Sequence, residues 1–212
     1  MNATLQCFSN CPRSKSKLLD KLLKNELENS TQKLSFALAE VFKNLWKVLS
    51  HTQYAPKNFK EIISEMNPLF KGIAANDPKD LVLFLLETMH KELNKVTILK
   101  IDQNPNQNSH DFMSVYENFV YNYTSKNESL ILDEFYFYSN NVTTCSNCND
   151  TINNVQINSI LFFPLEEVRK FMGYNVNYVR ITDCFEYYEK QEILPSFYCN
   201  KCKTSYQSYI FF

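Results

Sequence analysis

Thr143-Thr144-Cys145-Ser146-Asn147-Cys148-Asn149-Asp150, answered further along by Phe197-Tyr198-Cys199-Asn200-Lys201-Cys202-Lys203-Thr204, is the pair of stretches on which the fold turns. Two residues between cysteines let both sulfurs of one knuckle face a single point, and two such knuckles complete a tetrahedron of sulfur around zinc at about 2.3 Å per bond. Two disulfides or four unrelated core thiols would use the same residues. Zinc is favoured, because a reduced chain keeps its thiols free and chance rarely repeats one spacing. With Cys145, Cys148, Cys199 and Cys202 as ligands the site is closed, so Zn2+ would be structural and not catalytic. About fifty residues separate the pairs, much more than in a compact zinc ribbon, so strands of a larger sheet must hang between them.

The flanks of the first knuckle support a sheet. Ile131 to Tyr138, Val155 to Phe163, Tyr178 to Ile181 and Tyr206 to Phe212 are aromatic and β-branched runs between Asn-rich turns, and these predict strands. Upstream the period changes. Leu34, Leu38, Val41, Phe42, Leu45, Trp46, Val48 and Leu49 recur every three or four residues, predicting an amphipathic helix from about Ser35 to Ser50. A shorter helix, Phe59 to Met66, ends near Pro68. Another begins at Asp77, a helix cap followed by Pro78 and Asp80, and runs to about Leu93 with Leu81, Phe84, Leu85 and Met89 on one side. Residues 100–109 read as a polar loop, and Asp111 to Asn122 as one more helix. Helices first and antiparallel strands second is an α+β plan, with 1–128 helical and 129–212 rich in strands.

Composition excludes several functions. Two glycines, Gly72 and Gly173, rule out Gly-rich phosphate loops and dinucleotide fingerprints. A net charge of -1 with scattered Lys and Arg builds no basic stripe, so a zinc ribbon that binds nucleic acid does not fit. The longest apolar stretch, Leu81 to Leu86, is far short of the roughly 20 residues of a membrane span. A cytoplasmic or nuclear protein is expected. Of the remaining cysteines, Cys184 follows Thr182-Asp183, a candidate helix cap, and reads as a small buried side chain.

Met1-Asn2-Ala3-Thr4-Leu5-Gln6-Cys7-Phe8-Ser9-Asn10 resembles the stretch just after the nucleophile of ubiquitin-specific proteases, where Leu-Gln opens the first helix. Further matches follow in that family's order. Pro56 to Phe70 precedes Gly72; Asn76-Asp77 stands where the family has Gln-Asp; then come the knuckles, with Thr182-Asp183-Cys184-Phe185 leading towards the second. The resemblance implies a papain-like hand with helical thumb, part of a palm sheet and zinc-tipped antiparallel fingers. It also implies ubiquitin or ubiquitinated proteins as partners, Asn76 and Asp77 as substrate-binding residues, and hydrolysis of the isopeptide bond at the ubiquitin C-terminus.

The same register puts the family's nucleophilic cysteine two residues before Met1 and its histidine and Asp or Asn partner beyond Phe212, a hand truncated at both ends. No residue of the chain is therefore assigned a catalytic role. Cys7 lies two helical turns from the nucleophile's place, and His90, late in its helix, reads as a packed or solvated side chain. Inactivity of the isolated chain is the expectation, with a ubiquitin-binding pseudoenzyme as the alternative.

Overall fold

The computed structural model describes residues 1–10, 33–46, 54–96, 111–173, 177–190 and 192–211. The chain divides into two compact units, Met1–Leu99 with Ser125–Tyr136, and Lys100–Thr124 with Phe137–Phe212.

The first unit is helical: α1 (Asn2–Asn10), α2 (Lys33–Leu45), α3 (Lys57–Met66), a 3-10 turn (Pro68–Phe70), α4 (Pro78–Glu92) and α6 (Leu130–Phe135). The apolar period of the sequence becomes its core. Leu34, Leu38, Val41 and Phe42 of α2 are buried with Phe59 and Ile63 of α3, Leu81, Leu85 and Met89 of α4, and Leu5 and Phe8 of α1. Phe8 also meets Phe135, with ring centroids 5.9 Å apart. The helix expected from Ser35 to Ser50 starts at Lys33 and is described through Leu45; 47–50 lie outside the described residues.

Local chemistry sets the boundaries. Asp77 caps α4, accepting from the Lys79 backbone N–H at 2.9 Å, with Pro78 in the first turn, where a missing N–H costs nothing. Asn67 accepts from Leu69 N at 3.0 Å and starts the 3-10 turn. The N-terminus of α2 is served from a distance: Glu92, the last residue of α4, accepts from Leu34 N at 3.0 Å and from Ser35 N at 2.7 Å.

The second unit contains α5 (Phe112–Thr124), α7 (Leu165–Met172), α8 (Ile181–Glu189) and one antiparallel sheet, β1 (Phe137–Cys145), β2 (Thr151–Asn158), β3 (Glu192–Cys199) and β4 (Thr204–Phe211), in the order β2-β1-β4-β3. β1 and β2 form a hairpin in register from Phe137↔Asn158 to Thr144↔Thr151. β3 and β4 form another, from Glu192↔Ile210 to Cys199↔Thr204, with a shift between Leu194 and Phe197 around Pro195, which cannot donate to a ladder. The hairpins join where Cys145 pairs Ser208. Tyr116 and Phe119 of α5 set their rings edge-on to Tyr138 of β1.

The α+β class stands, and three strand expectations are corrected. Ile131 to Tyr138 is helical in its first part, because the Ser129 hydroxyl accepts from Leu132 N at 3.0 Å and Ile131 is buried in a helical core; the strand starts at Phe137. Tyr178 to Ile181 is not a strand. Arg180 is instead the N-cap of α8, its backbone N–H donating to Asp183 Oδ2 at 2.8 Å. Asp183 thus sits inside the first turn, not at the cap, and Cys184 beside it is buried as expected. The strand expected at Val155 to Phe163 runs instead from Thr151 to Asn158. Among the described residues no helix is long and apolar enough to cross a membrane.

Candidate metal centre

Each Cys-x-x-Cys is the turn of a hairpin. Cys145 ends β1 and Thr151 begins β2; Cys199 ends β3 and Thr204 begins β4. Inside each turn the chain must reverse within a few residues, and the residue after the second cysteine does it with positive φ: Asn149 at 55° and Lys203 at 59°. Their N–H groups bond back to the first cysteine's carbonyl, Asn149 N to Cys145 O at 3.0 Å and Lys203 N to Cys199 O at 2.8 Å. The two knuckles are built alike. Because β1 and β4 are neighbours in the sheet, both turns emerge at the same end of it.

That juxtaposition brings the four sulfurs of Cys145, Cys148, Cys199 and Cys202 within 4.8 Å of one another. Cys148 Sγ and Cys199 Sγ are 3.6 Å apart. The edge of a tetrahedron of sulfur around zinc is about 3.8 Å, whereas a disulfide requires about 2.05 Å. All four are free thiols, so the disulfide alternative is removed. Cys145 and Cys199 are buried and Cys148 and Cys202 half-buried. The donor set, its spacing and its closure fit a thiophilic metal ion.

Proton affinities differ within the cluster. At Cys199 the backbone N–H of Cys202, 3.4 Å from the sulfur, is the largest influence; with Lys201 N–H and the neighbouring thiols of Cys148 and Cys145 it outweighs burial and lowers the pKa to about 7. At Cys148 the backbone at Asp150 pulls down, but burial and the hydrogen bonds with Cys202, Cys199 and Cys145 push it up to about 12. Binding of a metal ion there would release the protons that the thiols carry.

The residues between the cysteines also engage the site, which the spacing motif alone did not reveal. Ser146 donates to the Gln207 carbonyl through its hydroxyl, and its N–H reaches the same oxygen at 3.4 Å. Asn147 Nδ2 donates to Cys202 Sγ at 3.3 Å, and Lys201 Nζ lies 3.8 Å from Asp150 Oδ1.

The other candidate residues fall in the helical unit. Asp77 is the α4 cap, and the neighbouring Asn76 donates to Ala74 O at 3.4 Å just after the exposed turn at Gly72. Cys7 is exposed on α1. His90 is buried, with Nδ1 2.6 Å from Ser129 Oγ, Nε2 3.3 Å from Asn127 Oδ1 and Tyr136 against its ring. Both nitrogens are committed to holding α4 to the start of α6. Cys11, His51 and His110 lie outside the described residues. Within the second unit, Phe137, Asn141, Gln156, Phe162, Phe185 and Tyr188 border a cleft of about 390 Å3, apolar on its walls with amides from the β1–β2 hairpin.

A helical unit followed by an antiparallel sheet with four thiols at its tip is the combination that the resemblance led us to expect, and the ubiquitin carboxyl-terminal hydrolase family profile matches residues 1–208. The chain belongs to that family. It is 28% identical over 157 residues to ubiquitin carboxyl-terminal hydrolase 4 of Pongo abelii and 26% identical over 153 residues to ubiquitin carboxyl-terminal hydrolase 15 of Xenopus tropicalis. Both matches cover 70% of this chain but 16% of the relative's length.

Proposed function

We infer that the protein is a cysteine-type deubiquitinase, removing ubiquitin from other proteins by hydrolysis at the ubiquitin C-terminus. The observation that carries this reading is the family match from residue 1 to 208, spanning both the helical unit and the four-sulfur centre. Ubiquitin and ubiquitinated proteins are then the partners, and Asn76 and Asp77 at the start of α4 take the substrate-facing place that the family's Gln-Asp occupies.

Cys145, Cys148, Cys199 and Cys202 would hold Zn2+. With four thiolates the ion has no open position; it supplies a cross-link between two hairpins and no Lewis acid for substrate. A reducing compartment, cytoplasm or nucleus, keeps these thiols available.

One observation favours a narrower reading for these 212 residues taken alone. His90, the one described histidine, is buried with both ring nitrogens engaged, so it is not free to activate a thiol. The alternative it favours is a ubiquitin-binding pseudoenzyme, which would hold ubiquitin without cutting it. Titration of labelled ubiquitin into the zinc-loaded chain tests the shared claim: saturable binding supports it, and no saturation up to millimolar concentration sinks it. Release of a fluorophore from the ubiquitin C-terminus separates the readings, since turnover by this chain, abolished in Cys7→Ala, would refute the binding-only form.

A further inference from the structure

The two knuckles share their backbone but not their third residue, which is Asn147 in one and Lys201 in the other. Both side chains cross to the opposite hairpin, and they do different things there. Lys201 reaches a carboxylate, Asp150, and touches no sulfur in that contact. Asn147 donates its Nδ2–H to Cys202 Sγ at 3.3 Å, across 55 residues of sequence.

We propose that Asn147 is a positioning residue of the metal centre, a latch from the first hairpin onto the Cys202 sulfur of the second that slows metal loss. The proposal rests on the reading of the four thiolates as zinc ligands. Its physical basis is the charge on the sulfur. A thiolate that also accepts an N–H bond spreads part of its charge onto the donor, and the bond fixes the direction of the sulfur's lone pairs.

Position in the site makes Cys202 the ligand where such help matters. Cys145 and Cys199 are buried, so water or a chelator reaches the metal past the half-buried Cys148 and Cys202. Cys202 also donates its own backbone N–H to Cys199 Sγ at 3.4 Å, so loosening Cys202 disturbs two ligands. Asn147 is itself exposed, so removing its side chain opens no cavity.

The zinc-loaded chain, its Asn147→Ala, Asn147→Asp and Lys201→Ala variants, and an excess of a chromogenic zinc chelator make the test. Asn147→Ala is expected to bind zinc about 10 to 100 times more weakly than the parent, the usual range for outer-shell partners, and to release it faster. Asn147→Asp, which keeps the shape and replaces the donor by an acceptor, should release at least as fast, and Lys201→Ala should match the parent. In the cobalt-substituted chain the thiolate-to-metal charge-transfer band should move to lower energy in Asn147→Ala and stay put in Lys201→Ala. A parental release rate in either Asn147 variant overturns the proposal, as does equal acceleration by Lys201→Ala, which would mean general loosening of the turn. A parent chain that retains no zinc after loading refutes the zinc reading instead.

Discussion

Glu92 and Ser35 are joined twice: one carboxylate oxygen, Oε2, accepts from the Ser35 backbone N–H and from the Ser35 hydroxyl, both at 2.7 Å. The other oxygen takes Leu34 N at 3.0 Å. A residue at the end of α4 thereby serves the unpaired donors at the start of α2, and its charge suits the positive end of that helix. Glu92→Ala is expected to destabilise the helical unit by about 2 kcal/mol and Glu92→Gln by less, since the amide keeps one acceptor. Urea unfolding followed by far-UV circular dichroism measures it; an unchanged midpoint for Glu92→Ala would show that the cap is replaced by solvent.

Removing the metal should unfold the strand-bearing unit. Four-sulfur sites contribute about 10 to 16 kcal/mol of binding energy that is also folding energy. Without it the four thiols at the hairpin tips lose the ion that would cross-link them. A chelator is expected to abolish the near-ultraviolet signal of Tyr198, Tyr206 and Tyr209 on β3 and β4, and zinc to restore it. Cys148→Ser should behave as the chelated protein does. Full retention of the signal in chelator would contradict the prediction.

The fold was legible in the sequence wherever one signal dominated. The helical period of Leu34 to Phe42 and the Asp77-Pro78 start of α4 point to one structure each, and both formed. Ile131 to Tyr138 carried two signals at once: β-branched and aromatic residues favour a strand, while Ser129 offers a cap, and burial of Ile131 among helices decided for the cap. β3 stayed hidden because Pro195 and polar neighbours obscure any alternation. α7 could have been found from Pro164, the Glu166-Glu167 first turn and Gly173 after its end. At the metal centre the spacing identified the four cysteines together, but the reach of Asn147 depends on the β1–β4 pairing, which no local pattern encodes.

Asp183 gives the chain an acid-sensitive helix start. The Arg180 side chain, bonded at 2.7 Å and 3.0 Å, and then the Arg180 backbone N–H hold its carboxyl below the usual carboxylate range. A depressed folded-state pKa means that the stabilisation is full above the unfolded value of about 3.9 and is lost as pH falls through the folded value. Asp183→Asn should therefore destabilise at neutral pH and flatten the stability curve on its acid side below about pH 4. Denaturant midpoints between pH 2 and 7 decide it; an unaltered acid slope would assign the slope to other carboxyls.

Lys203 bears a left-handed backbone at φ 59°, a conformation that a residue with a Cβ adopts at a cost of about 1 to 2 kcal/mol. Its partner position holds Asn149, a residue better suited to that region. Lys203→Gly should leave metal binding intact and stabilise the β3–β4 hairpin by up to about 1 kcal/mol, offset in part by the added freedom of the unfolded chain. Thermal unfolding of the zinc-loaded proteins provides the check, and a lower midpoint for the glycine variant would contradict it.

The sheet order β2-β1-β4-β3 would make an ion held by the four cysteines a clasp on two hairpins that the chain visits far apart in time. What lies between Asn158 and Glu192 leaves the sheet at its opposite end and returns there, with the four cysteines gathered at the hairpin tips. In a loop so tethered, doubling the length costs only about 0.6 kcal/mol of closure entropy, a small charge against a four-thiolate clasp. The chain between the hairpins is therefore free to lengthen, and a whole inserted module could be carried there without moving a single strand out of register.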